Sequence, residues 1–255
     1  MDNIRLVAVA LTLAIVPAVS YSEEHAGGAV HHWSYGGAGG PEHWTELDPA
    51  FAACNLGKYE SPIDIRKAKV AQLPALVFNY AATPTSVVDN GHTVMVTYAP
   101  GSTLTVGDKK YQLQQFHFHH PSEEAIHGKH ANMVVHLVHA DADGHLAVVA
   151  VLLKQGAANP VLAQIKSKVA AEKEHPVALA ERSLDAKDLL PTSLGYYTFP
   201  GSLTTPPCTE GVTWYVLKAP VEIAAGQLAW FTKLYPSDAR PLQPLHGRPI
   251  METKN

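Results

Sequence analysis

Three histidines on two short, alternating stretches are the residues best suited to chemistry. His117 and His119 lie in residues 115–120, and His136 lies in residues 133–139. In an extended strand alternate side chains share a face, so His117 and His119 point the same way. If the two stretches pair as neighbouring strands, the three imidazoles can converge on one point. Three nitrogen ligands leave the fourth position of a tetrahedral zinc open, which is typical of a catalytic rather than a structural site.

The apolar neighbours of these histidines strengthen the metal hypothesis. A His-x-His pair alone is a weak signal, because alternation often produces one and the chain has 15 histidines. Burying three imidazoles among Phe116, Phe118, Val135 and Leu137 is unfavourable unless their nitrogens have partners. A zinc ion supplies such a partner, so the sequence predicts a zinc site.

Composition sets the broad class of the protein. The chain has 255 residues, a net charge of -4 and 46% hydrophobic residues, which is enough apolar material for one large core. No Lys/Arg run or basic stripe occurs, so nucleic acid is not expected as a partner. A single β-rich domain can reach this length.

The N-terminus has the pattern of an export signal. Arg5 precedes an apolar run over residues 6–16, and residues 18–20 form a small-x-small cleavage signal. The run is shorter than the ~20 residues that span a bilayer. We therefore expect a signal peptide over residues 1–20, a domain over residues 21–255 without a membrane span, and a periplasmic or extracellular location.

The two cysteines, Cys54 and Cys208, fit an exported protein. An even pair in an oxidising compartment indicates a disulfide. Neither cysteine belongs to a Cys-x-x-Cys pair, so a metal role is the weaker interpretation.

Short strands separated by turn residues dominate the rest of the chain. Asn-Gly at residues 90–91 indicates a tight turn, and the apolar run over residues 146–153 predicts a buried central strand. Helices are predicted over residues 159–173, where Asn and Pro open the segment, and over residues 225–234. The predicted fold class is α+β, a single domain with a large central, twisted, mostly antiparallel β-sheet and peripheral helices.

Further motifs, taken together with the histidines, resemble the α-class carbonic anhydrases. In chain order they are His-Trp-Ser-Tyr at 32–35, Gly-Pro-Glu-His-Trp at 40–44, Asn-Gly-His at 90–92, Phe-His-Phe-His at 116–119, Pro-Ser-Glu at 121–123, His-Leu-Val-His at 136–139, Gly-Ser-Leu-Thr-Thr-Pro-Pro at 201–207 and Arg-Pro-Leu-Gln-Pro-Leu at 240–245. The matches cover nearly the whole mature chain in the family's order. The exported bacterial members are most similar, because they also have a cysteine directly after Thr-Thr-Pro-Pro.

The resemblance implies a zinc enzyme that reversibly hydrates carbon dioxide to bicarbonate and a proton through attack by zinc-bound hydroxide. It implies that His117, His119 and His136 bind Zn²⁺. Relatives also suggest a homodimer, although no interface can be read from this sequence.

Three other positions match catalytic residues of the family. Thr204 matches the threonine whose hydroxyl orients the nucleophile, and Glu123 matches the carboxylate that accepts the threonine's proton. His92 matches the proton shuttle. A zinc-water with a pKa of about 7 can lose its proton directly to bulk water only ~10³ times per second, whereas turnover reaches ~10⁶ per second. Histidine has a pKa suited to carrying that proton.

The resemblance also assigns residues around the metal. Gln115 can accept a hydrogen bond from His117, and a backbone carbonyl near Asp238 can accept one from His119. Tyr35 and Asn90 match positions that order water between the shuttle and the metal. The positions matching the carbon dioxide pocket are Val138, Val148, Leu203, Thr205, Val212 and Trp214.

Two positions depart from the family pattern. The family usually has a glutamate two residues before the third ligand, where this chain has Val134. Valine accepts no hydrogen bond, so His136 must use another partner, water or none, and we expect weaker or faster-exchanging zinc. Met95 stands where a polar residue usually faces the cavity, so we expect an altered water network near His92.

Other functional classes fit parts of the sequence. His117, His119, Glu123 and Gly128 also fit the first motif of the cupins, but the second, Gly-rich block of that family is missing. A second alternative is an inactive binding protein related to the carbonic anhydrases. Such proteins usually lack one zinc histidine, whereas this chain has all three. A zinc-storage protein would use the histidines within residues 23–43, and several zinc ions per chain without hydration activity would favour it.

Overall fold

The computed structural model describes residues 32–83, 85–169, 172–179 and 184–254. The predicted signal peptide lies outside these residues, as do His25 and His31 of the His-rich segment. All described residues belong to one structural unit, assigned to His31–Asn255. Among them, no helix has the length and apolar character needed to cross a membrane.

Strands make up most of the regular structure in the described ranges. They are β1 Asp64–Ile65, β2 Lys69–Ala71, β3 Leu76–Asn79, β4 Thr85–Asp89, β5 Val94–Tyr98, β6 Thr103–Val106, β7 Lys109–His119, β8 Ala125–Ile126, β9 Lys129–His130, β10 Met133–Ala140, β11 Leu146–Gln155, β12 Val177–Ala178, β13 Tyr196–Ser202, β14 Glu210–Leu217, β15 Val221–Ile223 and β16 Met251–Thr253. The α-helices are α1 Trp44–Leu47, α2 Ala53–Leu56, α3 Pro160–Lys168 and α4 Ala225–Leu234, with 3₁₀ turns at Gly37–Gly39, Pro49–Phe51 and Ala186–Leu189.

A 13-stranded sheet organises these elements. Its main order is β12-β4-β5-β7-β10-β11-β14-β13-β16-β2, with β3, β6 and β15 attached at its sides. Most neighbours are antiparallel, whereas β11 runs parallel to β14 and β15, and β16 runs parallel to β2. A separate small sheet has the order β1-β8-β9. The predicted fold class is confirmed.

The two histidine stretches are neighbouring strands, which is the condition that the three-histidine hypothesis required. Strand β10 pairs antiparallel with β7, and His136 lies directly opposite His117. The chain between them, residues 120–132, turns back through β8 and β9. This register places His117, His119 and His136 on one face at the centre of the sheet.

Each face of the sheet buries its own apolar cluster. The first cluster includes Phe116, Phe118, Val135, Leu137, Val149 and Val151, covered by Val161, Leu162 and Ile165 of α3 and Phe231 of α4. The second cluster, on the histidine face, includes Ile63, Ile65, Val134, Val138, Val148, Val212 and Trp214. The alternation read from the sequence thus separates the packed face from the face that carries the histidines.

Helix α3 is shorter than predicted. Asn159 caps it, its side chain accepting from the backbone N–H groups of Val161 and Leu162, but the helix ends at Lys168. Beyond this end the chain joins the sheet: the N–H of Glu174 donates to the carbonyl of Asp89 at 2.6 Å, and β12 pairs with β4. These contacts with the sheet edge begin directly after the predicted end of the helix at residue 173. Helix α4 has its predicted bounds.

The Asn-Gly turn joins β4 to β5 through four residues, 90–93. Oδ1 of Asn90 accepts from the N–H groups of His92 and Thr93 at 3.0 and 2.8 Å. Gly91 has a φ of +85°, a conformation that a residue with a Cβ rarely adopts. The turn therefore fixes the backbone position of His92.

Candidate metal centre

The three histidines meet at one point of the sheet. One ring nitrogen from each of His117, His119 and His136 lies within 4.8 Å of the other two. The ring centroids are 4.9 to 5.4 Å apart. His119 and His136 are each only 1% exposed. The pairing of β7 with β10 therefore brings together three ring nitrogens that could bind a metal ion.

Two of the rings donate a hydrogen bond away from this point, to the partners expected from the sequence. Nδ1–H of His117 donates to Oε1 of Gln115 at 2.8 Å. Nδ1–H of His119 donates to the backbone carbonyl of Asp238 at 2.7 Å. Since a carbonyl oxygen can only accept, the proton lies on Nδ1 and Nε2 is left as a lone-pair donor. Nε2 of His119 is buried and has no hydrogen-bond partner.

The third ring has the opposite orientation and an unexpected partner. Nε2–H of His136 donates to Oε2 of Glu124 at 3.3 Å, and Oε1 of the same carboxylate lies 3.2 Å away. Nδ1 of His136 therefore faces the other two histidines. The sequence left open whether His136 has an acceptor in place of the missing glutamate at Val134. Glu124 is that acceptor.

The electrostatic environment favours the neutral form of two of the rings, those of His117 and His136. Burial lowers the pKa of His117 and of His136 well below the usual range, and the neighbouring histidines act in the same direction. Neutral imidazole is the form that binds metal, so no proton must first be removed. Three imidazole nitrogens, one of them buried without a partner, fit a zinc ion with one open position.

Glu123 faces the same point. Its Oε2 lies 3.6 Å from Nε2 of His119 and 3.8 Å from Nδ1 of His136, and its Oε1 accepts from the backbone N–H of Arg240 at 2.8 Å. The side chain is fully buried, and burial raises its pKa to about 8, with Glu124 adding to the effect. The Thr204 hydroxyl and Arg240 act in the opposite direction.

Arg240 braces this carboxylate through a buried network. Its guanidinium donates to Oε2 of Glu60 at 2.6 Å, to the carbonyl of Ser61 at 2.7 Å and to the carbonyl of Cys54 at 2.5 Å. Arg240 is 3% exposed and also lies over the ring of Trp44, 5.5 Å from its centroid. A charge this deep is held only where partners satisfy it, so this network fixes the backbone N–H that binds Glu123.

The residues predicted to line an apolar pocket lie beside the third histidine. Val138, Val148, Val212 and Trp214 are buried in one cluster, with Leu203 partly buried against it and Thr205 half-buried in the following turn. The ring of Trp214 stands edge-on to His136, 4.9 Å between centroids and 78° between planes. Its Nε1–H donates to the carbonyl of Ser202 at 3.0 Å. A Cβ on Gly201 would lie 2.6 Å from this indole, so only glycine at this position lets β13 pack this closely against Trp214.

A cavity of about 580 Å³ is lined by His32, Trp33, Tyr35, Gly91, His92, Lys173 and Tyr235, among others. The ring of His92 stacks on Trp33. The ring of His32 stands edge-on to that of His92, with 5.2 Å between their centroids. Burial, followed by the nearby charge of His32, lowers the pKa of His92 to about 4.

The two predicted water-ordering residues have different surroundings. The hydroxyl of Tyr35 is buried without a partner, and its ring stands edge-on to His119 at 6.4 Å. Burial, together with Glu123 and Asp238, raises the pKa of this phenol well above the usual range. Asn90 uses its side-chain oxygen in the turn that holds His92. Met95 lies directly opposite His117 in the pairing of β5 with β7, on the histidine face.

Comparison with known proteins identifies the family. The sequence model of the eukaryotic-type carbonic anhydrases matches residues 39–254. The chain belongs to the alpha carbonic anhydrase family. A carbonic anhydrase of Pectobacterium carotovorum is 43% identical over 248 residues, which cover 94% of this chain and 98% of that relative. A carbonic anhydrase of Nostoc is 42% identical over 226 residues, 87% of this chain and 86% of that relative.

Solved structures agree with this assignment. A hyperthermostable carbonic anhydrase from a hydrothermal vent chimney has a TM-score of 0.85 and 43% identity, covering 88% of this chain and 100% of the other. The alpha carbonic anhydrase of Thermovibrio ammonificans, solved with the inhibitor sulfanilamide, has a TM-score of 0.84 and 42% identity with the same coverage. Hydration of carbon dioxide is the general activity of this family.

The predicted disulfide joins Cys54 of α2 to Cys208. Cys208 follows the turn that carries Thr204 and Thr205, and its N–H donates to the carbonyl of Thr205 at 2.8 Å. The bridge therefore links this turn to the segment of Cys54, whose carbonyl also accepts from Arg240.

Sequence reasoning missed three contributors to the site: Glu124, Arg240 as a brace, and Trp33 as the stacking partner of His92. The valine at 134 was a signal for Glu124, since it left His136 without an acceptor on its own strand, and a second glutamate stands beside Glu123. Arg240 and Trp33 lie in motifs that were recognised, but their contacts depend on long-range packing that no local pattern encodes.

Proposed function

We propose that this chain is a zinc-dependent carbonic anhydrase that interconverts carbon dioxide and bicarbonate, with zinc held by Nε2 of His117, Nε2 of His119 and Nδ1 of His136. The observation that carries this is the convergence of the three nitrogens, with the buried Nε2 of His119 left without a partner. Zinc in such a site lowers the pKa of a bound water to about 7, carbonic anhydrase itself being the reference case, and so supplies a nucleophile at neutral pH.

Thr204 and Glu123 orient the nucleophile. A hydroxyl group has one proton to donate, and a carboxylate, the form of Glu123 that a bound Zn²⁺ nearby would favour, can only accept. When Thr204 donates to Glu123, its oxygen is left to accept from the nucleophile, whose remaining lone pair is then directed at the substrate. The backbone N–H of Arg240 holds Glu123 in place for this role.

The apolar pocket binds carbon dioxide. Val138, Val148 and Leu203 offer no hydrogen bond, which suits a nonpolar molecule and gives the bicarbonate anion little reason to stay. Trp214, one of the pocket residues, contacts the ring of His136, so carbon dioxide in this pocket is held with its carbon atom close to the nucleophile.

His92 carries the released proton to solvent. It lines the cavity together with Tyr35, whose unpartnered hydroxyl is available to water on the way from the histidines. The histidine ring can accept a proton on one nitrogen and release it from the other. Tyr35 and Asn90 support this route, Tyr35 through water and Asn90 by holding the turn.

We further propose export to the periplasm or the extracellular space. The apolar N-terminal segment and the disulfide both support an oxidising compartment. A homodimer remains a prediction from the relatives, and sedimentation of the purified protein measures it directly.

The test is stopped-flow hydration of carbon dioxide on purified protein with its zinc counted. We expect about one zinc per chain and loss of both zinc and activity in His119→Ala. His175→Ala, at an exposed histidine, serves as the matched control and should retain both. Activity that survives His119→Ala would refute the assignment. Several zinc ions per chain without hydration activity would favour storage by the N-terminal histidines.

A further inference from the structure

Strand β10 offers no hydrogen-bond acceptor to its own histidine. Val134 stands two residues before His136, and alternate residues of a strand share a face, so both side chains project to the same side. Val134 is fully buried and packs in the cluster that includes Ile63 and Ile65. A buried imidazole N–H without a partner is unfavourable, so the acceptor for His136 must come from another segment.

Glu124 reaches His136 from the connection between β7 and β10. Its two carboxylate oxygens lie 3.2 and 3.3 Å from Nε2, nearly equidistant. Both side chains are almost completely buried, Glu124 at 0% and His136 at 1% exposure. A hydrogen bond to a carboxylate is stronger than one to a neutral acceptor, and more so where water is excluded.

The backbone that carries Glu124 is held on both sides. The Ser122 hydroxyl donates to the carbonyl of Glu124 at 2.8 Å and accepts from the N–H of Ala131 at 2.8 Å. The next residue, Ala125, donates its N–H to the carbonyl of Ile63 at 3.3 Å and begins β8, which pairs with β1. The carboxylate therefore starts from a fixed point.

The ring of His136 is also positioned by packing. Trp214 stands edge-on to it at 4.9 Å, while Glu124 determines which nitrogen carries the proton. With the proton on Nε2, Nδ1 keeps its lone pair for the centre formed with His117 and His119. Tautomer and ring direction are thus set by two different neighbours.

We propose that Glu124 is the positioning residue for His136. It lies in the connection before β8 and takes the role that a carboxylate at position 134 would otherwise have. This rests on the proposed function and deepens it, because it names what retains the metal. Val134 is then the complement of Glu124: a carboxylate at both positions would place two negative charges around one N–H in a dry site, which is unfavourable. The weak zinc binding expected from Val134 alone does not follow.

The experiment measures zinc loss from the zinc-loaded enzyme to a chromogenic chelator. Glu124→Leu removes the acceptor and should speed zinc loss ~10–100-fold. Glu124→Gln keeps an acceptor oxygen and should change the rate by only a few-fold. The exchange variant Glu124→Val with Val134→Glu should restore a rate within a few-fold of the unmodified enzyme, whereas Val134→Glu alone should not slow zinc loss. Glu46→Leu, at an exposed glutamate, is the control and should leave the rate unchanged.

A second readout distinguishes positioning from general destabilisation. The visible spectrum of the cobalt-substituted enzyme should change in Glu124→Leu and return in the exchange variant. Zinc loss from Glu124→Leu at the unmodified rate would overturn the proposal, as would an exchange variant that folds but loses zinc more than tenfold faster than Glu124→Gln. If Glu124→Leu does not fold, the comparison of Glu124→Gln with the exchange variant decides. Failure of the unmodified protein to bind zinc would refute the proposed function instead.

Discussion

The imidazole of His92 lies flat against the indole of Trp33, with 3.7 Å between ring centroids and 8° between planes. The stack shields one face of the histidine from water, and burial is the main reason that its pKa falls to about 4. A carrier with this pKa is a poor acceptor for a proton from a donor whose pKa is near 7, because proton transfer is then uphill. Trp33 therefore controls how readily His92 takes up a proton.

We expect Trp33→Ala to raise the pKa of His92 towards 6.5 and to increase the maximal rate of carbon dioxide hydration at low buffer concentration. NMR titration of the His92 ring measures the first effect, and stopped-flow kinetics measures the second. Trp33→Phe keeps an aromatic face and should change both less. A pKa of His92 that stays near 4 in Trp33→Ala would contradict burial by Trp33 as its cause.

Replacement of His92 itself tests the shuttle. In His92→Ala the maximal rate at low buffer should fall by roughly several-fold, since the proton must then leave without its carrier, and the low pKa of His92 limits the size of this loss. Added imidazole should restore the rate because it replaces the missing base. An unchanged low-buffer rate would remove His92 from the proton path and leave the metal site unaffected.

Thr204→Val removes the hydroxyl and keeps the shape of the side chain. Without an oriented acceptor the nucleophile loses its preferred direction, and we expect kcat/KM for hydration to fall roughly 100-fold, the scale found when one preorganised polar group is lost. Thr204→Ser keeps the hydroxyl and should lose much less. Zinc content measured alongside should stay at the unmodified level. Equal activity in Thr204→Val and Thr204→Ser would exclude the hydroxyl from this role.

The limits of sequence reasoning follow from the range of the interactions. The alternation in β7 and β10 was predicted because it is a local pattern, whereas their pairing was only a condition of the three-histidine hypothesis. The partners of His117 and His119 were inferred from the family, and the structure places them as expected. Glu124 was not predicted, because its contact with His136 depends on how residues 120–132 fold back, which no periodicity determines. Helix α3 was predicted too long, because helix propensity does not account for the contacts that Glu174 and β12 make with the sheet edge.

The disulfide should contribute substantially to stability. It closes a loop with a sequence separation of 154 residues, and a loop of that size is worth about 5 kcal/mol in the chain-entropy model, with 2–5 kcal/mol usually found. We expect the double variant Cys54→Ser with Cys208→Ser to have a free energy of unfolding that is about 2–5 kcal/mol lower, as measured by urea denaturation. The oxidised and reduced forms of the unmodified protein serve as a matched pair, and an equal denaturation midpoint for both would contradict the expectation.

Buried His139 should make stability depend on pH. Its Nε2 accepts from the hydroxyl of Tyr80 at 2.6 Å, and burial lowers its pKa to about 4, against 6.5 ordinarily. Between these two pH values the unfolded chain binds a proton that the folded chain does not. The contribution of His139 to the free energy of unfolding is therefore complete above pH 6.5, and about 3 kcal/mol of it is lost as the pH falls towards 4. Urea denaturation of metal-free protein at pH 7.5 and 4.5 measures the loss. His139→Gln should lose less between the two pH values, although it is less stable at both, whereas His175→Gln should follow the unmodified protein. An equal loss in His139→Gln would show that the pH dependence arises elsewhere.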